Sequence, residues 1–175
     1  AIIPYTESGD SLPVQSIQIA PESSFVADAA HMNLPAQTAW LRMTSPIPLA
    51  GIELFGTLDG RQLAGYAVVG IGRKDGIFSR LEKNGWTGIA FVNAEESTTS
   101  VTLTAYSDSG VVIAEEPLTL RGHEKIVALP QDLFVSSIDA ATYLRYSAGK
   151  WVVGFQLNSD GSTLLDGVPT LAAPD

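Results

Sequence analysis

Tyr5-Thr6-Glu7-Ser8-Gly9 and Tyr106-Ser107-Asp108-Ser109-Gly110 share one pattern: an aromatic, then a hydroxyl and acid run, closed by glycine. They lie about one hundred positions apart, and the same offset places Ile17-Gln18-Ile19 on Leu118-Thr119-Leu120 and Phe25-Val26-Ala27 on Ile126-Val127-Ala128. After two residues of slippage Trp40-Leu41-Arg42 meets Tyr143-Leu144-Arg145, and Gly51-Ile52-Glu53-Leu54 meets Gly154-Phe155-Gln156-Leu157. Asp59-Gly60 then falls on Asp160-Gly161, and Leu63-Ala64-Gly65 on Leu165-Asp166-Gly167. Identities are few, but apolar positions, glycines and turn residues keep their order. Self-similarity at a fixed period marks a duplicated unit, so the chain reads as two copies of one domain.

The copies are unequal. The second has a leading section, Gly85-Trp86-Thr87-Gly88-Ile89-Ala90-Phe91-Val92-Asn93 followed by Ser100-Val101-Thr102-Leu103, with no counterpart in the first. Residue 1 aligns inside the later of these strands. The expected division is an incomplete first repeat over 1–72, a linker and possible edge strand over 73–84, and a complete second repeat over 85–175. The start, Ala1-Ile2-Ile3-Pro4, has neither initiator Met nor signal peptide and reads as a processed or excised chain. The linker expectation rests on Gly70-Ile71-Gly72-Arg73-Lys74-Asp75-Gly76, where glycines and charges cluster; its basic residues read as a solvated hinge rather than a binding patch.

Local periodicity is that of strands. Ser100-Val101-Thr102-Leu103-Thr104-Ala105 alternates, placing Val101, Leu103 and Ala105 on one face. Leu118/Leu120, Phe155/Leu157, Ile17/Ile19 and Ile52/Leu54 alternate likewise, and Asp-Gly, Ser-Gly and Arg-Gly pairs punctuate the runs. Only Ser24 to Met32 could hold a short helix, and its counterpart Pro130-Gln131-Asp132-Leu133-Phe134 argues for a turn or a single helical turn. Short strands at this spacing predict an all-β protein of two tandem immunoglobulin-like β-sandwich domains, the first lacking its opening strands.

Composition narrows the function. With 175 residues, 45% hydrophobic and 17% charged, the chain has enough apolar content for a packed core. Ten Lys and Arg against nineteen Asp and Glu give a net charge of −9, which repels phosphate backbones and anionic headgroups. Nucleic acid and membrane insertion are therefore not expected as partners. The absence of cysteine removes disulfides and thiol chemistry and leaves the compartment open.

The stretches Gly85–Asn93, Val152-Val153-Gly154-Phe155-Gln156-Leu157 and Thr142-Tyr143-Leu144-Arg145 resemble motifs of tandem β-sandwich repeats in secreted and surface bacterial proteins. The resemblance covers the second copy nearly end to end, and the first except for its start. It implies non-catalytic accessory modules displayed outside the cell, and it brings no catalytic residues.

Candidate chemistry is sparse. Asp28 and His31 would share a face of a short helix near Ser23 and Ser24, but no nucleophile elbow accompanies them, and His31 and His123 do not align between copies. Asn158-Ser159-Asp160-Gly161-Ser162 lacks the acid that a helical calcium loop needs at its twelfth position, where Pro169 stands, and reads as a hairpin turn. A nonstandard calcium site would draw on Glu95, Glu96 or Asp108. No cofactor is expected. Trp40 and Trp86 are assigned to packing. Trp151 with Tyr146 is the one aromatic pair to test as a glycan platform, provided a turn near Ala148-Gly149 brings them together, because five positions apart on one strand they face opposite ways. In register between the copies, Arg42 and Arg145 read as solvent-facing residues over apolar neighbours.

The expected function is thus a non-enzymatic structural or interaction module, a spacer, stalk or assembly domain. A sandwich missing strands would expose an edge and core residues near Ile2, Ile17 and Ile19, inviting strand addition from a protein partner or a second copy. The alternative is a carbohydrate or cell-surface binding module accessory to an extracellular enzyme.

Overall fold

A computed structural model describes residues 1–172; the last three positions of the 85–175 segment lie outside the described residues. The described residues are all-β apart from one helical turn. In order come β1 (Ile2–Tyr5), β2 (Trp40–Met43), β3 (Ile52–Gly56), β4 (Leu63–Ala67), β5 (Arg73–Phe78), β6 (Trp86–Asn93), β7 (Thr99–Tyr106), β8 (Val112–Leu120), β9 (Lys125–Ala128), α1 (Pro130–Leu133), β10 (Tyr143–Ser159) and β11 (Leu165–Pro169). Ser24 to Met32 contains no helix, and only residues 29–32 of it form a turn.

One antiparallel sheet dominates, hydrogen-bonded along the path β8-β7-β10-β6-β9, with β5 and β11 also paired to β10. Its organiser is the 17-residue β10. Leu144 pairs with both Ala105 of β7 and Phe78 of β5; Val152 pairs with both Asn93 of β6 and Arg73 of β5. Phe155 pairs with Ala90 of β6 and Pro169 of β11. A residue has only two strand neighbours, one per edge. Therefore β6 and β7 lie end to end along one edge of β10, and β5 and β11 along the other. β9 and β8 in turn flank β6 and β7.

These long strands bend together. Pairing lapses at 94–98 between β6 and β7 and at 121–124 between β8 and β9, opposite a shift in the β5 register of β10 between Ser147 and Val152. The result is a strongly curled half-barrel sheet, accompanied by two small hairpin-like pairs, β1-β2 and β3-β4. Tandem immunoglobulin-like sandwiches are not present. A single sheet runs through the second half, and β5, from the segment expected as a linker and possible edge strand, is built into it as a strand paired with β10.

One face of the sheet carries the core. Val101, Leu103 and Ala105 are fully buried on one face of β7, as their alternation predicts, against Leu144, Tyr146 and Val152 of β10. Phe78, Phe91 and Tyr146 meet edge-on or tilted with centroids 5.2 to 5.9 Å apart. Each such side chain contributes on the order of 1.5–3 kcal/mol by leaving water. Phe134, Ile138 and Ala141, following α1, close one end of this core.

The bend is held by Asn93, which is completely buried. Its Nδ2 donates to Ser97 O at 2.9 Å and Arg121 O at 2.8 Å, and its Oδ1 accepts from the Glu95 N–H at 3.1 Å. One amide thus joins both connections at the corner. The two backbones touch closely there: a Cβ on Gly122 would sit 2.0 Å from Glu96 O, so this position admits only glycine.

Candidate functional site

Residues 1–72 contribute two structures, both resting on the half-barrel. The β1-β2 pair sits on the corner at 121–125. Tyr5 stacks on Trp40 with centroids 4.4 Å apart, and the His123 ring lies 4.6 Å from Tyr5. Trp40 Nε1 donates to His123 O at 3.0 Å, Lys125 Nζ donates to Ala39 O at 2.7 Å, and the Lys125 N–H donates to Glu7 O at 2.9 Å. His123 adopts φ +60°, which turns its ring under Tyr5. Its signal in the sequence is weak, because the position reads as an ordinary loop histidine.

The two edges of this pair differ. The outer edge of β1 is covered by residues 11–15: the Ile2 and Gln15 backbones exchange bonds of 2.8 and 2.9 Å, and the Leu12 N–H donates to Pro4 O at 2.8 Å. The edge of β2 is bare. Bonded residues alternate along an antiparallel pair. The Thr44 N–H donates to Ala1 O at 2.9 Å, so Arg42 also faces β1, and the polar backbone of Leu41 and Met43 points away. Among the described residues nothing pairs with it.

The β3-β4 pair is a hairpin around Asp59-Gly60 with two apolar faces. One packs on the half-barrel, where Phe55 and Tyr66 meet Phe155 at 5.6 and 4.5 Å. Burial, with the Glu53 charge second, pushes the Tyr66 phenol up to about 12, and its hydroxyl has no hydrogen-bond partner. The opposite face presents Ile52, Leu54 and Leu63, which are 65%, 61% and 67% exposed. Gln62 ties the base of the hairpin to the half-barrel, its Nε2 donating to Ser159 Oγ at 3.2 Å and Leu164 O at 3.0 Å.

The sequence-expected edge is therefore misplaced. Ile2 is buried, Ile17 half-buried and Ile19 exposed, and no strand forms over 17–19. The 11–15 segment already occupies the Ile2 edge, which leaves the opening on β2. The glycan pair does not assemble either. β10 continues through Ala148-Gly149 without a turn, so parity sends Tyr146 into the core, fully buried, while Trp151 faces outward at 47% exposure. Trp86 is partly exposed on β6, and Trp40 packs as expected. Arg42 is exposed and Arg145 half-buried.

His31 Nδ1 lies 2.7 Å from Asp28 Oδ1 on the surface, and the His31 N–H with this ring contact holds the Asp28 carboxyl below its ordinary range. Ser23 Oγ instead donates to Ala20 O, so no nucleophile joins them. Among the described residues no group of three His, Asp or Glu side chains, Glu95, Glu96 and Asp108 included, is placed to hold a metal ion. Among the described residues no helix is long and apolar enough to cross a membrane. Asp59 and Asp160 each close a hairpin turn through N–H groups just after them. An open cleft lies between those turns, bordered by Asp59, Arg61, Gln62 and Thr163.

No protein family matches the chain by sequence, and no curated protein matches it. Two solved structures are similar in part. The crystal structure of Thermotoga maritima 1070 has a TM-score of 0.46 at 9% identity, covering 58% of this chain and 96% of that one. The Anabaena sensory rhodopsin transducer has a TM-score of 0.41 at 16% identity, covering 50% of this chain and 83% of that one. The resemblance to tandem immunoglobulin-like repeats is corrected by the topology: one curled sheet organised by β10 stands where two sandwiches were expected. The expectation of extracellular display came with that resemblance, and no feature of the fold carries it further.

Proposed function

We propose that the chain is a non-enzymatic interaction module that assembles with a protein partner through residues 1–72, by strand addition at β2 and burial of the outer face of β3-β4. The observation that carries this reading is the outer face itself. Ile52, Leu54 and Leu63 lie side by side on a two-stranded hairpin, all more than half exposed, with Met43 and Ile47 exposed in the preceding segment. Contiguous exposed apolar side chains and an unpaired strand edge are each a costly surface that proteins ordinarily cover. A hairpin with one buried face is also marginal on its own, which favours a partner on the second.

The test is solution mass by light scattering over a concentration series, for the chain and for a Leu54→Asp/Leu63→Asp double variant. Both positions are exposed, so the variant should unfold at the same denaturant concentration as the original. The chain is expected to associate with rising concentration and the variant to remain monomeric. A monomer at every concentration, or association that the double variant leaves unchanged, would overturn assembly through this face.

A further inference from the structure

The two halves agree in register as well as in pattern. Ile2 bridges Gln15 and Tyr5 bridges Ser11; at the sequence offset, Leu103 pairs with Glu116 and Tyr106 with Val112. Tyr5 pairs with and stacks on Trp40, as Tyr106 does on Tyr143 with centroids 5.1 Å apart. In the turns, the hydroxyls of Thr6 and Ser8 lie 2.9 Å apart and so do those of Ser107 and Ser109. Gly9 and Gly110 both take left-handed backbone, φ +91° and +76°. Leu54 pairs with Gly65 as Leu157 does with Gly167.

The first half lacks equivalents of β6, of the end of β8 and of β9; at two other places the halves differ because the second is completed by residues of the first. The edge of β10 that corresponds to the bare edge of β2 is occupied by β5, with Phe78 opposite Leu144 and Gly76 opposite Tyr146. The face of the β10-β11 hairpin that corresponds to Ile52, Leu54 and Leu63 is covered by β3-β4, through Phe55 and Tyr66 on Phe155. Its Leu157 and Leu165 are half-buried accordingly. In the first half both positions stand open. Met43 is 45% exposed, whereas its counterpart Tyr146 is fully buried beside Phe78.

We infer that residues 1–78 and 79–172 are successive copies of one strand-lending unit, and that the bare edge of β2 accepts a strand of the β5 pattern from another such unit. This rests on the interaction-module reading and names its partner. The incoming strand lies antiparallel to β2, with the residue equivalent to Phe78 opposite Leu41 and that equivalent to Gly76 opposite Met43. Its bonding polarity follows from β5. The Ile77 N–H donates to Leu171 O at 2.9 Å, so Ile77 faces away from β10 while Gly76 and Phe78 turn their polar backbone toward it.

A synthetic peptide of residues 70–84, added to the whole chain, tests this. Amide hydrogen exchange should slow at Leu41 and Met43 and stay unchanged at Leu144 and Tyr146. A peptide with Gly76→Pro loses a donor aimed at β2 and should bind roughly tenfold more weakly. One N-methylated at Ile77, whose N–H points away, should bind like the original. No protection of Leu41 and Met43 at saturating peptide, protection at 144–147 instead, or equal binding of the Gly76→Pro peptide would overturn the inference. If the chain self-associates but the peptide neither binds nor lowers its mass, strand lending fails while the module reading stands. If the Leu54→Asp/Leu63→Asp variant associates like the original yet the peptide protects β2, the outer-face reading fails and strand lending stands.

Discussion

Replacing Asn93 with alanine is the sharpest perturbation of the bend. The side chain makes bonds of 2.9 and 2.8 Å to Ser97 O and Arg121 O and receives one of 3.1 Å from the Glu95 N–H, all in a site without solvent. A third carbonyl, Leu120 O, at 3.4 Å, is too long to add much. Each good bond is worth about 1 kcal/mol net, and alanine leaves the three backbone partners unpaired where water enters poorly. The expected loss is therefore about 3 kcal/mol, or roughly 6–12 °C in Tm for a chain of this size. Urea unfolding followed by tryptophan fluorescence measures it directly. Asn93→Asp keeps the acceptor for Glu95 but sets a carboxylate against carbonyl oxygens, so it should cost more than alanine near neutrality. Its penalty should shrink on acidification, as the protonated acid regains one donor. A loss below about 1 kcal/mol for Asn93→Ala would refute the reasoning and mean that strand pairing alone sets the corner.

Two further outcomes follow from groups near the hairpins. Tyr66 carries a buried hydroxyl without a partner, so Tyr66→Phe should be neutral or stabilising by up to about 1 kcal/mol in the same unfolding assay. Its ionisation is raised to about 12, which disfavours the phenolate in the folded chain; stability should fall as pH rises above the ordinary tyrosine value near 10, and Tyr66→Phe should reduce that decline. Asp160, held well below the usual carboxylate range by the N–H groups of Leu164, Ser162 and Thr163, works in the opposite sense. Its contribution is present above the unfolded value near 4 and is lost as pH falls through the lower folded value, so Asp160→Asn should flatten acid unfolding below about pH 4.

What the sequence discloses and what it hides divide along chain distance. The alternation of Val101, Leu103 and Ala105, the Asp-Gly hairpins and the offset between Tyr5 and Tyr106 are local signals, set by pleat and turn chemistry within a few residues. Ile17 and Ile19 alternate equally well yet form no strand, because beyond Gln15 no neighbouring backbone accompanies them. Trp151 and Tyr146 show the same limit from the other side. Their spacing gives opposite faces correctly, but whether the chain turns at Gly149 depends on β7 and β5 holding the first half of β10 straight.

The segment from Gly70 to Gly76 is the decisive case, since its composition reads as a hinge and its position makes it a strand. Glycine there has two explanations that the sequence cannot separate, freedom of the backbone or closeness to something else. The structure selects the second. A Cβ on Gly72 would lie 2.7 Å from Val152 O, and one on Gly76 would lie 2.5 Å from the Tyr146 ring. Both glycines are small because the chain there is pressed against β10, and Arg73, Lys74 and Asp75 beside them are exposed. The same closeness explains why two sandwiches are expected where one curled sheet is found. Of the segment 73–84, expected as a linker and possible edge strand, residues 73–78 are β5, which stitches one half into the other. A unit that lends its last strand forward has no boundary at that strand, so any reading that seeks a linker between copies must break the sheet to find one.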